Sequence, residues 1–106
     1  MKVFFNFGSE KLNEEDALMG SVWQVLDLFY ELPNDNQSFV GLKDNTNFIL
    51  EIRRINLYQW EWSTFNTINS EYKVGYFSFT KSEQLIRSLF NNLKINDIPN
   101  LKIEKK

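Results

Sequence analysis

Histidine and cysteine are both missing from this chain of 106 residues. Without histidine, the commonest general base near neutral pH is gone. Without either residue, most zinc sites and most nucleophile–base dyads are excluded. The lack of cysteine also removes disulfides, so the chain carries no mark of a redox compartment. Only four glycines are present, and they are scattered, so no glycine-rich loop is available to cradle a phosphate. There is no run of about 18 apolar residues, as a membrane-spanning helix would need. Positive charge is not in excess either. Twelve Lys and Arg stand against fourteen Asp and Glu, for a net charge of −2 and a pI near 5.1. That balance argues against general nucleic-acid affinity, which uses a basic face. The tetrapeptide Asp44-Asn45-Thr46-Asn47 lacks the closing glutamate of a calcium loop, and Ser63-Thr64 and Ser78-Phe79-Thr80 have no partner base. The chain is therefore not expected to be an enzyme, and neither a cofactor nor a metal is expected.

Hydrophobic residues make up 42% of the chain, too many for a disordered chain of this charge. The length suits one domain that buries about two-thirds of its unfolded surface. The opening MKVFFNFGSE has one lysine and a short apolar run, too short for a secretory signal, so cytoplasm is the expected location.

The most strand-like stretch is 48–79, which holds two of the three tryptophans. Phe48, Leu50 and Ile52 alternate with Ile49, Glu51 and Arg53. Tyr58, Trp60 and Trp62 alternate with Gln59, Glu61 and Ser63, and Tyr72, Val74 and Tyr76 with Lys73, Gly75 and Phe77. A period of two in aromatic and β-branched residues predicts three antiparallel strands. They are joined near 55–57 and across 64–70. Residues 2–7 predict a first strand and 38–43 another, with a hairpin connection at 44–47. The polar, acidic segment 9–20 reads as a loop or a helical turn around Leu12, Leu18 and Met19.

Two helices frame these strands. Over 21–32, Ser21 with Gln24 fits a capping box, Val22, Val25, Leu26 and Phe29 share one face, and Pro33 is the stop. In the second, Thr80 with Glu83 fits another capping box, and Leu85, Ile86, Leu89, Phe90 and Leu93 make an apolar stripe. The expected fold is thus a single α+β domain over 1–106, in the order β-α-β-β-β-β-α, with both helices on one face of an antiparallel sheet. Residues 94–106 read as a partly ordered tail or edge strand around Leu101 and Ile103. The other sheet face is left partly open, and a register shift of one residue would move Trp60 and Trp62 across.

Candidate contact residues follow from that open face. Trp60, Glu61 and Trp62 have two readings. One is core and cross-strand packing; the other is an aromatic anchor for a partner protein. Glu14, Glu15 and Asp16 read as a solvated charge cluster or as part of the same contact. Arg53 and Arg54 point to opposite faces of their strand, so at least one is exposed.

Four features in order carry a likeness over 21–98. Ser21-Val22-Trp23 opens a helix that ends at Leu32-Pro33. Ser38-Phe39-Val40-Gly41-Leu42 is followed by a turn and Asn47-Phe48-Ile49-Leu50. A later hairpin leads through Ser78-Phe79-Thr80 into an apolar helix, and Ile98-Pro99 lies in a short tail. In this pattern the chain resembles a family of small bacterial immunity proteins, which neutralise toxins delivered between competing bacteria, polymorphic toxins included. Arg53-Arg54 stands where that family often has small residues and glycine. The resemblance implies a stoichiometric inhibitor that occludes a toxin's active site or substrate groove and does no chemistry. Glu14, Glu15, Asp16 and Glu61, flanked by Trp60 and Trp62, are the expected contact. A second resemblance is to RNA-recognition modules. Lys73-Val74-Gly75-Tyr76-Phe77-Ser78-Phe79 is similar to their aromatic strand, and Val3-Phe4-Phe5-Asn6-Phe7 to its partner, although Val74 displaces an expected glycine. A third reading is a subunit that pairs with itself, for example as a homodimer through 101–103.

Overall fold

The computed structural model describes residues 1–35 and 37–104. The strands are β1 (Lys2–Asn6), β2 (Lys11–Leu12), β3 (Leu18–Met19), β4 (Phe39–Lys43), β5 (Phe48–Arg54), β6 (Trp60–Asn66), β7 (Tyr72–Phe77) and β8 (Lys102–Ile103). The helices are α1 (Val22–Tyr30) and α2 (Phe79–Leu89). The described strands form one antiparallel sheet in the order β2-β1-β4-β5-β6-β7-β8, with β3 also paired to β1. The α+β class and the order of the main elements are as the sequence leads one to expect.

Alternation decides what each strand buries. Val40 and Leu42 of β4, Leu50 and Ile52 of β5, Trp60 and Trp62 of β6 and Phe77 of β7 all point to one face. Val25, Leu26 and Phe29 of α1 and Leu85, Ile86 and Leu89 of α2 pack there and complete one core. The Trp62 indole N–H is satisfied inside it by Ser82 Oγ at 3.1 Å, as a buried donor requires. Phe29, Trp60 and Phe79 form a ring cluster at one end, with centroids 5.4–5.6 Å apart. The tail after α2 adds Ile95 and Ile98 to the core, and the Ile95 amide donates to Asp44 Oδ2 at 3.0 Å.

The α1 capping box is present. Ser21 Oγ accepts from the Gln24 amide at 3.3 Å, and Gln24 Oε1 accepts from the Ser21 amide at 2.8 Å. At α2 the structure corrects the expectation. The cap is Ser78, whose Oγ accepts from the Lys81 amide at 3.1 Å, and Thr80 lies inside the first turn. The chain leaves β7 at Phe77 and turns helical at once, so the serine at the corner is the residue with extended backbone and a free hydroxyl. Segment 9–20 also differs. It is two short strands, β2 and β3, around a 3-10 turn at Glu14–Asp16. Both strands pair with the outer side of β1 and shield an edge that would otherwise offer free backbone groups. Among the described residues no helix is long and apolar enough to cross a membrane.

Candidate functional site

The sheet face turned away from α1 and α2 is the candidate site. Its side chains fall into three cross-strand rows. Lys2, Lys43, Ile49, Phe65 and Tyr72 make the first. Phe4, Gly41, Glu51, Ser63 and Val74 make the second. In the third, Asn6 pairs with Phe39 at one side, and Arg53, Glu61 and Tyr76 follow one another at the other.

The two ends of this face are built differently. At the β1 end the protein covers itself. Phe4 lies across Gly41, so closely that a Cβ there would stand 2.1 Å from the ring. Phe4 also meets the edge of Phe39 at 5.9 Å, and it is buried without belonging to the helix-side core. At the β7 end Tyr76 is 55% exposed and Phe65 36%. Aromatic rings in the open are the side chains that bury most area on contact with few rotors to freeze.

Polar groups tie the face together. Arg53 bonds Glu51 at 2.7 Å, and its guanidinium sits 5.0 Å from the Phe39 ring centroid. The Tyr76 hydroxyl donates to Glu61 Oε2 at 3.2 Å. Loss of solvent, and next the Glu61 charge, hold the Tyr76 phenol above its usual pKa, so it stays a neutral donor. Between the first and second rows lies a depression of about 190 Å³, lined by Glu14, Ile49, Glu51, Ser63, Phe65 and Tyr72. A larger hollow of about 480 Å³ is lined by residues that include Met1, Met19, Lys43, Asp44, Leu89 and Phe90.

The expected contact residues are divided by this geometry. Glu61 is on the open face. Glu14, Glu15 and Asp16 are exposed in the 3-10 turn, and Glu14 reaches the face, where it pairs with Lys43 at 3.4 Å and lines the depression. Trp60 and Trp62 are a correction. At 4% and 0% exposure they lie under the helices and offer no surface to a partner. Neighbouring residues of a strand point to opposite faces, so Glu61 cannot be flanked by them on one surface. The side chains of β5, β6 and β7 that do share the open face with Glu61 include Phe65, Tyr72, Tyr76, Glu51 and Ser63, and they were open to inference once the alternation was phased by the core.

The RNA-recognition pattern fares differently as geometry. β1 and β7, the two strands that would have to share a stacking platform, are separated by β4, β5 and β6. No protein-family model, curated protein or solved structure matches this chain.

Proposed function

We propose that this protein is a non-enzymatic binding module that occupies a protein partner stoichiometrically through the open face of its sheet, and that the partner is a cognate bacterial toxin. The observation that carries the binding reading is the β7 end of that face, where Tyr76 and Phe65 are exposed and Glu61 lies beside Tyr76, all turned away from the two helices. Tyrosine and arginine there match the chemistry of interaction hot spots, and carboxylates at the rim speed encounter with a basic surface. The toxin as partner rests on the likeness to immunity proteins in the pattern over 21–98. Cytoplasm is the location that goes with this role.

The test compares the tagged protein with its Glu61→Ala/Tyr76→Ala double variant in pull-downs from the source organism's lysate, with nuclease added. One stoichiometric protein held by the parent and lost by the variant supports the proposal, and its identity settles whether it is a toxin. A partner retained equally by the variant would place the contact elsewhere. Recovery of RNA in the absence of nuclease would favour the nucleic-acid reading.

Self-association is a second reading, favoured by β8. This two-residue strand ends the sheet, its outer edge has no strand beside it among the described residues, and Ile103 is exposed. A sedimentation series in protein concentration checks it. A constant monomer mass rejects it.

A further inference from the structure

We infer that the depression on the open face is a receptor for one basic side chain, an arginine or lysine, projected by the protein partner. The inference rests on the proposal that this face is the partner surface, and it names what one part of that surface recognises.

Ser63 makes the floor. It is 3% exposed, lines the depression, and its hydroxyl forms no hydrogen bond with another described residue. The hydroxyl is not sealed from solvent, and the hollow that Ser63 lines is where it can take a partner. Ile49, Phe65 and Tyr72, consecutive in one cross-strand row, make an apolar and aromatic wall. Such a wall suits the methylene stem of a long side chain, and its exposed Phe65 ring suits a cation.

Glu51 and Glu14 supply the charge. Each is held from outside the depression, Glu51 by Arg53 at 2.7 Å through Oε1 and Glu14 by Lys43 at 3.4 Å through Oε2. The second oxygen of each carboxylate accepts from no other described residue. Among the described residues, none that lines the hollow is basic. An apolar occupant would strip water from two carboxylates and a hydroxyl without replacing its hydrogen bonds, and an acidic one would be repelled. A guanidinium or ammonium group carries donors that suit a hydroxyl and both carboxylates. A metal ion does not fit, because among the described residues no group of three His, Cys, Asp or Glu is placed to hold one.

The test uses the isolated protein. Amide NMR follows titration with N-acetyl-arginine amide, and in parallel with the citrulline amide, which has the same shape and no charge. The expected result is a saturable set of shifts centred on Ser63, Phe65 and Tyr72 with the arginine probe, and binding at least about five-fold weaker with citrulline. Ser63→Ala and Glu51→Gln should each weaken the arginine probe about three-fold or more. Equal response to citrulline, or shifts centred elsewhere, would overturn the inference. So would a protein partner that is lost with the Glu61→Ala/Tyr76→Ala variant but keeps its affinity for Ser63→Ala and Glu51→Gln, and that result would leave the proposed function standing. Arginine-probe binding in the depression with no protein partner found would leave the pocket's chemistry standing and sink the proposed function.

Discussion

Along β6, Trp60, Trp62 and Thr64 face the helices and are buried, while Glu61, Ser63 and Phe65 face away. The same backbone thus serves two surfaces held together by different forces. The covered face is cohesive because two helices close over it and remove large apolar side chains from water. The open face holds together by short polar pairs, Arg53–Glu51 and Tyr76–Glu61, and by one local cover, Phe4 over Gly41. Surface pairs of this kind add little to folding, so the exposed residues of the open face, away from Phe4 and Gly41, can change with small effect on stability. Stability and the proposed contact surface then rest largely on different residues.

The sharpest way to break this comparison is to truncate one residue on each face. Trp62→Ala should cost about 3–5 kcal/mol in urea unfolding, because it empties the centre of the core and leaves Ser82 Oγ without its donor. Tyr76→Ala should stay within about 1 kcal/mol. Similar losses for both would mean that the faces are not energetically distinct.

Next in size is Gly41→Ala, expected to cost about 1–3 kcal/mol because the new methyl meets the Phe4 ring. Phe4→Leu in the same chain should recover part of that loss, since the two positions touch. No recovery would show that Phe4 does not anchor the covered end of the open face.

Helix capping tests whether the core-bearing element starts where the structure puts it. Ser78→Ala should lower stability by about 1 kcal/mol and Thr80→Ala by no more than about 0.5 kcal/mol. The reverse order would move the cap to Thr80.

The smallest effect is a pH shift on the open face. The Tyr76 phenol is raised above its usual pKa, so its neutral form is favoured in the fold. The stability this contributes is fully present below the ordinary phenol value of about 10 and is lost as pH rises through the higher folded value. Glu61→Gln should lower the Tyr76 value in a tyrosinate titration without returning it to the ordinary one, because loss of solvent is the larger cause. An unchanged titration would mean that Glu61 does not act on Tyr76.

Much of the architecture was legible in the chain. The capping box at Ser21 and Gln24, the stripe Val25, Leu26, Phe29, and the alternation of β5, β6 and β7 are local signals, and they describe real elements. Within segment 9–20 the helical turn is there, at Glu14–Asp16, but the strands were not legible, because β2 and β3 are two residues each and have no pattern of their own. Their strand character comes from pairing with β1, a contact across the fold. The cap at Ser78 was hidden for a similar reason. Ser78 and Thr80 are both good caps, and the choice depends on where β7 releases the chain.

The candidate site divides in the same way. Alternation by itself set Trp60 and Trp62 on one side of β6 and Glu61 on the other, since side chains in a strand repeat every two residues. It did not say which side is inside. Both faces carry aromatic and β-branched residues: Val40, Leu42, Leu50, Ile52, Trp60 and Trp62 on one, Phe39, Ile49, Phe65, Tyr72, Val74 and Tyr76 on the other. Only the docking of α1 and α2 against the first set decided it. Their apolar stripes can cover one face of a sheet and not two, and the face they left open is where Glu14, Glu51 and Ser63, distant in the chain, come to share one hollow.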